Sequence, residues 1–346
     1  MKIKVSPENP LEWMALRMNL APLPLVETQI FFSAARAIMA AAELGIYEAI
    51  GKSSKTADEV AAASGTHPHA TKELLNCLVG IGYLAWSDGK FSLKRKYHKW
   101  LLKESESNLI AKLRFQLLEW NWMAMLEDYV RTGNTLQLHG SVNEHEWKLY
   151  QEGMRDLSIN AARELTSKIP VPKNATKMLD IGGSHGLYSI ELCKKYPQLN
   201  STIFELPGAV EAASAIAKRY DTTGRVSYTE GNALNDDLGT EQYDFIMINN
   251  VVHHFTSEQN MALAKKIANA LKPGGVYGIG EFIRTDKPGE GGVITASTGL
   301  YFSVISASGN WSAEEITSWQ KNAGLNVEKP VTAMALPGWK MIVARK

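Results

Sequence analysis

The chain has 346 residues, with 37 Lys and Arg against 36 Asp and Glu, so its formal net charge is +1. That length allows about two domains of roughly 150 residues, and near-neutrality excludes a broad electrostatic grip on nucleic acid or anionic lipid. Two cysteines, Cys77 and Cys193, cannot build a disulfide framework or a cysteine zinc site and suit a reducing, cytoplasmic setting. The N-terminal MKIKVSPENPLEW lacks the apolar core of a secretory signal. No stretch reaches the ~20 apolar residues of a membrane span; the best, around 38–50, is interrupted by Glu43 and Glu48.

Residues 30–50 are Ala-rich and apolar around most of a helix, which suits burial at an interface, and Gly45 ends or kinks it. Thr56-Ala57-Asp58-Glu59 is a capping-box pattern that opens a helix stopping near Gly65. A third helix over 70–81 carries Leu74, Leu75, Leu78 and Ile81 at helical spacing; 83–86 and 90–93 then flank Ser87-Asp88-Gly89 as a hairpin. Three helices and a hairpin is winged helix-turn-helix order. A DNA reader needs several donors on its third helix, where only Lys72 is basic. The Lys94-Arg95-Lys96-Tyr97-His98-Lys99 run reads as a solvated face, so dimerisation is the better use of the module and no nucleic-acid or membrane partner is expected.

Residues 108–131 read as one long helix bearing Trp120, Trp122, Met123 and Met125, and 144–167 as another with Trp147 and Met154. Such clusters are ordinarily core; the alternative is a wall for a flat apolar substrate. Pro170-Val171-Pro172 marks a boundary, beyond which short apolar runs alternate with helical segments. Strands are expected at 177–181, 201–205, 226–230, 243–248 and 276–281, with helices at 186–196, 209–219 and 257–271 and two late edge strands near 325–328 and 339–344. That alternation predicts an α/β fold with a doubly wound, mostly parallel Rossmann-like sheet, whose ligand sits over the strand carboxyl ends. The organisation is a dimerisation domain over 1–105, a helical linker contributing to the substrate pocket over 106–170, and a catalytic domain over 171–346.

The first of these strands runs into Asp180-Ile181-Gly182-Gly183-Ser184-His185-Gly186. Glycines past a strand allow a sharp turn and close ligand approach, but the dinucleotide fingerprint fails because its glycines fall on Ser184 and Leu187, which disfavours NAD. Glu205 ends the second strand 19 residues beyond Gly186, where a carboxylate accepts nucleoside ribose hydroxyls.

These features resemble the class I S-adenosylmethionine-dependent methyltransferases and, more closely, the O-methyltransferase family that includes the plant caffeate and hydroxyindole enzymes. The resemblance covers most of the chain and implies an N-terminal winged-helix dimerisation domain. The family's D-x-G-G-G-x-G is matched by Asp180, Gly182, Gly183 and Gly186, with Ser184 in place of the middle glycine. Its ribose-binding acid corresponds to Glu205 in Phe204-Glu205-Leu206-Pro207, and its adenine-contacting Asp falls on Asn232 in Gly231-Asn232-Ala233-Leu234. Leu206, Gly231, Ala233 and Asn249 are implied as further cofactor contacts, and Leu271-Lys272-Pro273-Gly274-Gly275 is a turn characteristic of the superfamily. The family's L-H-D-W-S-D-E segment aligns with Val252-His253-His254-Phe255-Thr256-Ser257-Glu258. The resemblance therefore implies His253 as general base and Glu281, 28 positions on, as its carboxylate partner. A His is also the residue type that can deprotonate a phenol as it attacks a methyl; the plainer reading of the His pair is a cap on the next helix. The family's second acid falls on Asn310. Trp120, Met123, Met154, His254, Phe302 and Asn310 are the expected acceptor contacts, with Tyr301 and Phe302 of 294–305 completing the wall. The expected enzyme is a homodimeric S-adenosylmethionine-dependent O-methyltransferase with no metal. The alternatives are N- or C-methylation on the same fold, a non-methylating user of the sulfonium, and a winged-helix regulator.

Overall fold

The computed structural model describes residues 5–136, 142–334 and 336–346. It divides into two compact units, one ending at Leu118 and the other running from Glu119 to the C-terminus.

The first unit opens with α1 (Pro10–Arg17), capped by Asn9 accepting from Glu12 N at 3.0 Å. Next come α2 (Leu23–Leu25), a π-helical turn over Val26–Ile30 and α3 (Phe31–Glu43). Together these form one continuous rod over Leu23–Glu43, 21 residues whose most apolar 18-residue window has a mean hydropathy of 1.2, long and apolar enough to cross a membrane by length and composition. This corrects the expectation that no such stretch exists. Pro24 lies in the first turn, where its missing N–H breaks no bond, so the apolar residues from 23 onward join the Ala-rich helix.

Gly45, at φ +69°, turns the chain into α4 (Ile46–Ile50), as its position past an Ala-rich run suggests. β1 (Ser54–Lys55) follows, then α5 (Ala57–Ser64) with both reciprocal capping bonds, Glu59 N to Thr56 Oγ1 at 3.2 Å and Thr56 N to Glu59 Oε2 at 2.7 Å. α6 (Pro68–Gly80), β2 (Leu84–Ser87), β3 (Lys90–Leu93) and α7 (His98–Leu101) complete the expected helix–helix–helix–hairpin order. The three strands pair antiparallel in the order β1-β3-β2. Ile46, Tyr47, Ile50, Leu75, Leu78, Leu84 and Phe91 form the core of this unit.

α8 (Ile110–Met123) and α9 (Leu126–Thr132) replace the single helix expected over 108–131. α10 (Glu144–Ser158) and α11 (Ala162–Lys168) likewise replace one helix over 144–167. The second break falls where Ser158, Ile159 and Asn160 put three weak helix formers in a row.

The eight-stranded sheet is built from β4 (Lys177–Ile181), β5 (Asn200–Glu205), β6 (Val226–Glu230), β7 (Tyr243–Asn249) and β8 (Leu271–Phe282), with β9 (Asn326–Val327), β10 (Val331–Thr332) and β11 (Trp339–Arg345). Its order is β10-β11-β8-β7-β4-β5-β6, with β9 also on β11; β8 through β6 run parallel and β11 is antiparallel. Four helices cover it: α12 (Leu187–Lys195), α13 (Pro207–Tyr220), α14 (Ser257–Ala270) and α16 (Ala313–Asn322); α15 (Gly292–Ile305) lies between β8 and α16 in sequence. β8 begins at Leu271 because the Lys272-Pro273-Gly274-Gly275 turn is absorbed as a register shift between Tyr243 and Phe245. The winding moves outward from β4 to β5 and β6, then returns to β7 on its other side. A crevice therefore opens at the carboxyl ends of β4 and β7.

Candidate active site

The crevice is a cavity of about 480 Å³, in the size range of small-molecule sites. Asp180 sits at the end of β4 with its Oδ2 accepting from Ser189 Oγ at 2.7 Å. Burial, with the Glu205 carboxylate nearby, pushes its carboxyl up to about 7 despite that bond. Gly183 is required by close approach, since a Cβ there would lie 2.5 Å from Asp180 Cγ. Gly186 stands behind the wall instead: it does not line the cavity, and a Cβ on it would strike Ile203 at 2.8 Å. A Cβ there would hold α12 off β5, so its lack of a side chain lets the two pack closely. Ser184 adopts φ +50° in the position the family gives to glycine, and its amide donates to Glu205 Oε1 at 3.0 Å.

Glu205 ends β5 with its second oxygen accepting from Leu206 N at 2.9 Å. Burial raises its pKa while those two backbone bonds oppose the rise. Asn232 Oδ1 accepts from Leu234 N at 3.0 Å, so its NH2 is the side-chain group left to offer. Gly182, Leu206, Gly231, Ala233 and Asn249 all line the cavity.

Beyond β7, a 3-10 turn over Val252–His254 carries the histidine pair. His253 Nδ1 lies 2.9 Å from Glu281 Oε2, and Glu281 Oε1 accepts from Phe282 N at 2.9 Å. Glu281 shares the edge because Asn249 pairs with Gly280 across β7 and β8. His253 is 2% exposed, and Phe302 of α15 stacks on its ring at 3.8 Å, with 7° between the planes. The cavity wall is formed by His254, not His253. Phe302 covers the proposed base, so sequence spacing alone did not show which imidazole faces the space.

Met154 lines the cavity, whereas Trp120 and Met123 are not on its wall. The helix that carries them still meets α15, through Tyr301 Oη donating to Glu119 Oε1 at 2.7 Å. Asn310 is buried in the loop before α16. The wall also includes Trp147, read with Met154 as core or substrate wall, and Tyr150, Gln151 and Ser158, which the sequence reading did not name. They and Met154 fall at helical spacing on one face of α10, a periodic signal that could have found them. Tyr188, Asn250 and Val251 carried no such signal.

A parallel sheet reversing at β4, with a glycine turn and a strand-terminal acid over the crevice, is the class I methyltransferase architecture. Residues 126–326 match the O-methyltransferase domain family and 26–99 the O-methyltransferase dimerisation domain. The chain therefore belongs to the S-adenosylmethionine-dependent O-methyltransferases. It is 24% identical over 318 residues to a 3-hydroxy-5-methyl-1-naphthoate 3-O-methyltransferase of Streptomyces sahachiroi, covering 89% of this chain and 90% of that one. It is 25% identical over 335 residues to an L-tyrosine C(3)-methyltransferase of Streptomyces lavendulae, covering 91% and 90%. Human N-acetylserotonin methyltransferase, solved in complex with SAM, superposes with a TM-score of 0.82 at 19% identity and 99% coverage of both chains.

The cavity fits that cofactor: Asp180, Gly182 and Gly183 line it beyond β4, and Glu205 presents a carboxylate at the end of β5.

Proposed function

We propose that this enzyme methylates a hydroxyl of a small aromatic molecule and that His253 is the general base. The observation that carries the reading is the buried His253–Glu281 pair at 2.9 Å, set where β7 and β8 end together, next to His254 on the cavity wall. When bound, S-adenosylmethionine supplies an electrophilic methyl on a sulfonium, a leaving group that needs no proton. Glu205 would hold the ribose hydroxyls, the Asn232 NH2 would donate to an adenine ring nitrogen, and Asp180 with Gly182 and Gly183 would border the amino-acid tail. Glu281 accepts from His253 Nδ1–H, which fixes the tautomer and leaves Nε2 as the atom that takes the acceptor's proton. With Phe282 N–H on its other oxygen, Glu281 stays oriented and stabilises the imidazolium that results.

An aromatic acceptor is supported by the rings that line the cavity, Phe255, Tyr150 and Tyr188, and by the naphthoate named for one relative; Phe302, expected on the wall, is not on it and stacks on His253 instead. The dimerisation-domain match, together with exposed Leu25, Ile30 and Phe32, supports a homodimer joined through the N-terminal unit. Unpaired Cys77 and Cys193 suit the cytoplasm.

The test uses labelled cofactor and a panel of phenols and indoles. His253→Ala should bind S-adenosylhomocysteine normally by calorimetry yet turn over at least a hundredfold more slowly. Unchanged turnover would move the reaction to nitrogen or carbon, or pass the role to His254, and His254→Ala separates those outcomes. Glu205→Ala should instead weaken cofactor affinity tenfold or more.

A further inference from the structure

Asn260 lies in the first turn of α14, is 3% exposed, and bonds the histidine turn at both ends. Its Nδ2 donates to Val252 O at 2.9 Å and to Phe255 O at 3.3 Å, so one NH2 uses both hydrogens to span His253 and His254. Its Oδ1 is buried with no hydrogen-bond partner, a loss of stability that an apolar side chain would avoid.

Neither carbonyl needs that amide. Val252 O also accepts from Trp311 Nε1 at 3.0 Å and from Phe255 N at 3.2 Å, and Phe255 O accepts from Ser308 Oγ at 2.8 Å. Trp311 is itself fixed, edge-to-face against Trp319 with ring centroids 5.0 Å apart. Removing the Asn260 side chain would therefore leave both carbonyls paired, and Asn is a weak helix former besides. What the amide alone supplies is a single planar group linking the two ends of the turn. Between those ends stand the two imidazoles, His253 with Nδ1 at 2.9 Å from Glu281 Oε2 and His254 on the cavity wall.

We infer that Asn260 is a positioning residue for the histidine turn: by tying Val252 O to Phe255 O it holds His253 Nδ1 on Glu281 and keeps His254 at the cavity. Trp311 and Ser308 brace the same carbonyls from the loop before α16. A slack turn changes the angle of the imidazole to its carboxylate without exposing apolar surface, so the reaction suffers before stability does. For its effect on rate the inference rests on His253 being the proposed base; the positioning itself does not.

The test follows the low-field Nδ1–H proton resonance of His253 in protein labelled with 15N-histidine, assigned by its loss in His253→Ala. Asn260→Leu should move or broaden that resonance, bind S-adenosylhomocysteine as wild type does in calorimetry, and melt no earlier than wild type. On the best phenol of the panel above it should lose about tenfold in kcat with KM unchanged, the size of effect expected of a misplaced catalytic group. Should the leucine variant not fold, Asn260→Ser, which keeps a single donor, should show the same change of resonance. Ser308→Ala alone should have little effect, but added to Asn260→Leu it leaves Phe255 O without a donor and should lower kcat by more than the two separate effects multiplied. A resonance that stays in place in both Asn260 variants, or that wild type does not show, overturns the assignment, as does a loss that appears in S-adenosylhomocysteine affinity instead of kcat. A displaced resonance with unchanged turnover would leave the positioning role standing and count against His253 as the base.

Discussion

Ser184 and the buried charges around it concentrate the strain of the cofactor loop. At φ +50° a serine occupies a left-handed conformation that costs a residue with a Cβ about 1 kcal/mol or more. It is held there by its hydroxyl on Gln151 Oε1 and its carbonyl accepting from Tyr228 Oη at 2.8 Å. Ser184→Gly removes the strain along with the hydroxyl, whereas Ser184→Ala removes only the hydroxyl. Denaturant unfolding should therefore rank glycine above alanine by about 1 kcal/mol. Asp180 and His185 make opposing contributions to pH dependence. Buried Asp180, up to about 7, keeps a proton that the unfolded chain releases near 4, so its stabilisation is present at low pH and lost as pH rises towards 7. His185 is pushed down to about 3, chiefly by burial; the unfolded chain takes up its proton below about 6.5, so its contribution is lost as pH falls. Asp180→Asn should therefore gain stability relative to wild type as pH rises from 4 to 7, by up to about 1.4 kcal/mol per pH unit, read from melts across that range. A difference that stays flat would mean Asp180 titrates normally.

Helix α10 shows how an element converts local sequence into a site. Asn143 caps it by accepting from Glu146 N at 3.0 Å, Glu146 returns a bond to Asn143 N at 3.0 Å, and one face then delivers Trp147, Tyr150, Met154 and Ser158 to the cavity. Asn143→Ala should cost about 1 kcal/mol of stability and, by loosening the turn that carries Trp147, weaken S-adenosylhomocysteine binding two- to fivefold in calorimetry. The Thr56 cap of α5 was read from spacing; the same pattern at Asn143 and Glu146, which caps α10, was not. Nor was the break between α8 and α9. It falls at Ala124 and Met125, both good helix formers, so no local preference marks it and packing decides it.

Across the whole molecule, the main surface feature is the apolar N-terminal rod, where Leu25 is 60% and Ile30 51% exposed. The dimerisation-domain match begins at residue 26 and runs to 99, which places most of the rod within it. Leu25→Glu combined with Ile30→Glu should convert the proposed homodimer to monomer in analytical ultracentrifugation while leaving the catalytic sheet folded. A dimer that survives both charges would place the interface elsewhere.

Strand alternation, the glycine turn and the acid at the end of β5 were legible because each follows from a period or a backbone requirement only a few residues long. The partnership of His253 with Glu281 was also reachable, since parallel neighbours β7 and β8 end in register. Other features depended on segments far apart in sequence. Phe302 over His253, Asn310 beside α15, and His254 rather than His253 on the wall all follow from how α15 and the loop before α16 close over the histidine turn. Side-chain packing between distant segments has no period along the chain, so only the folded structure settles which imidazole faces the space.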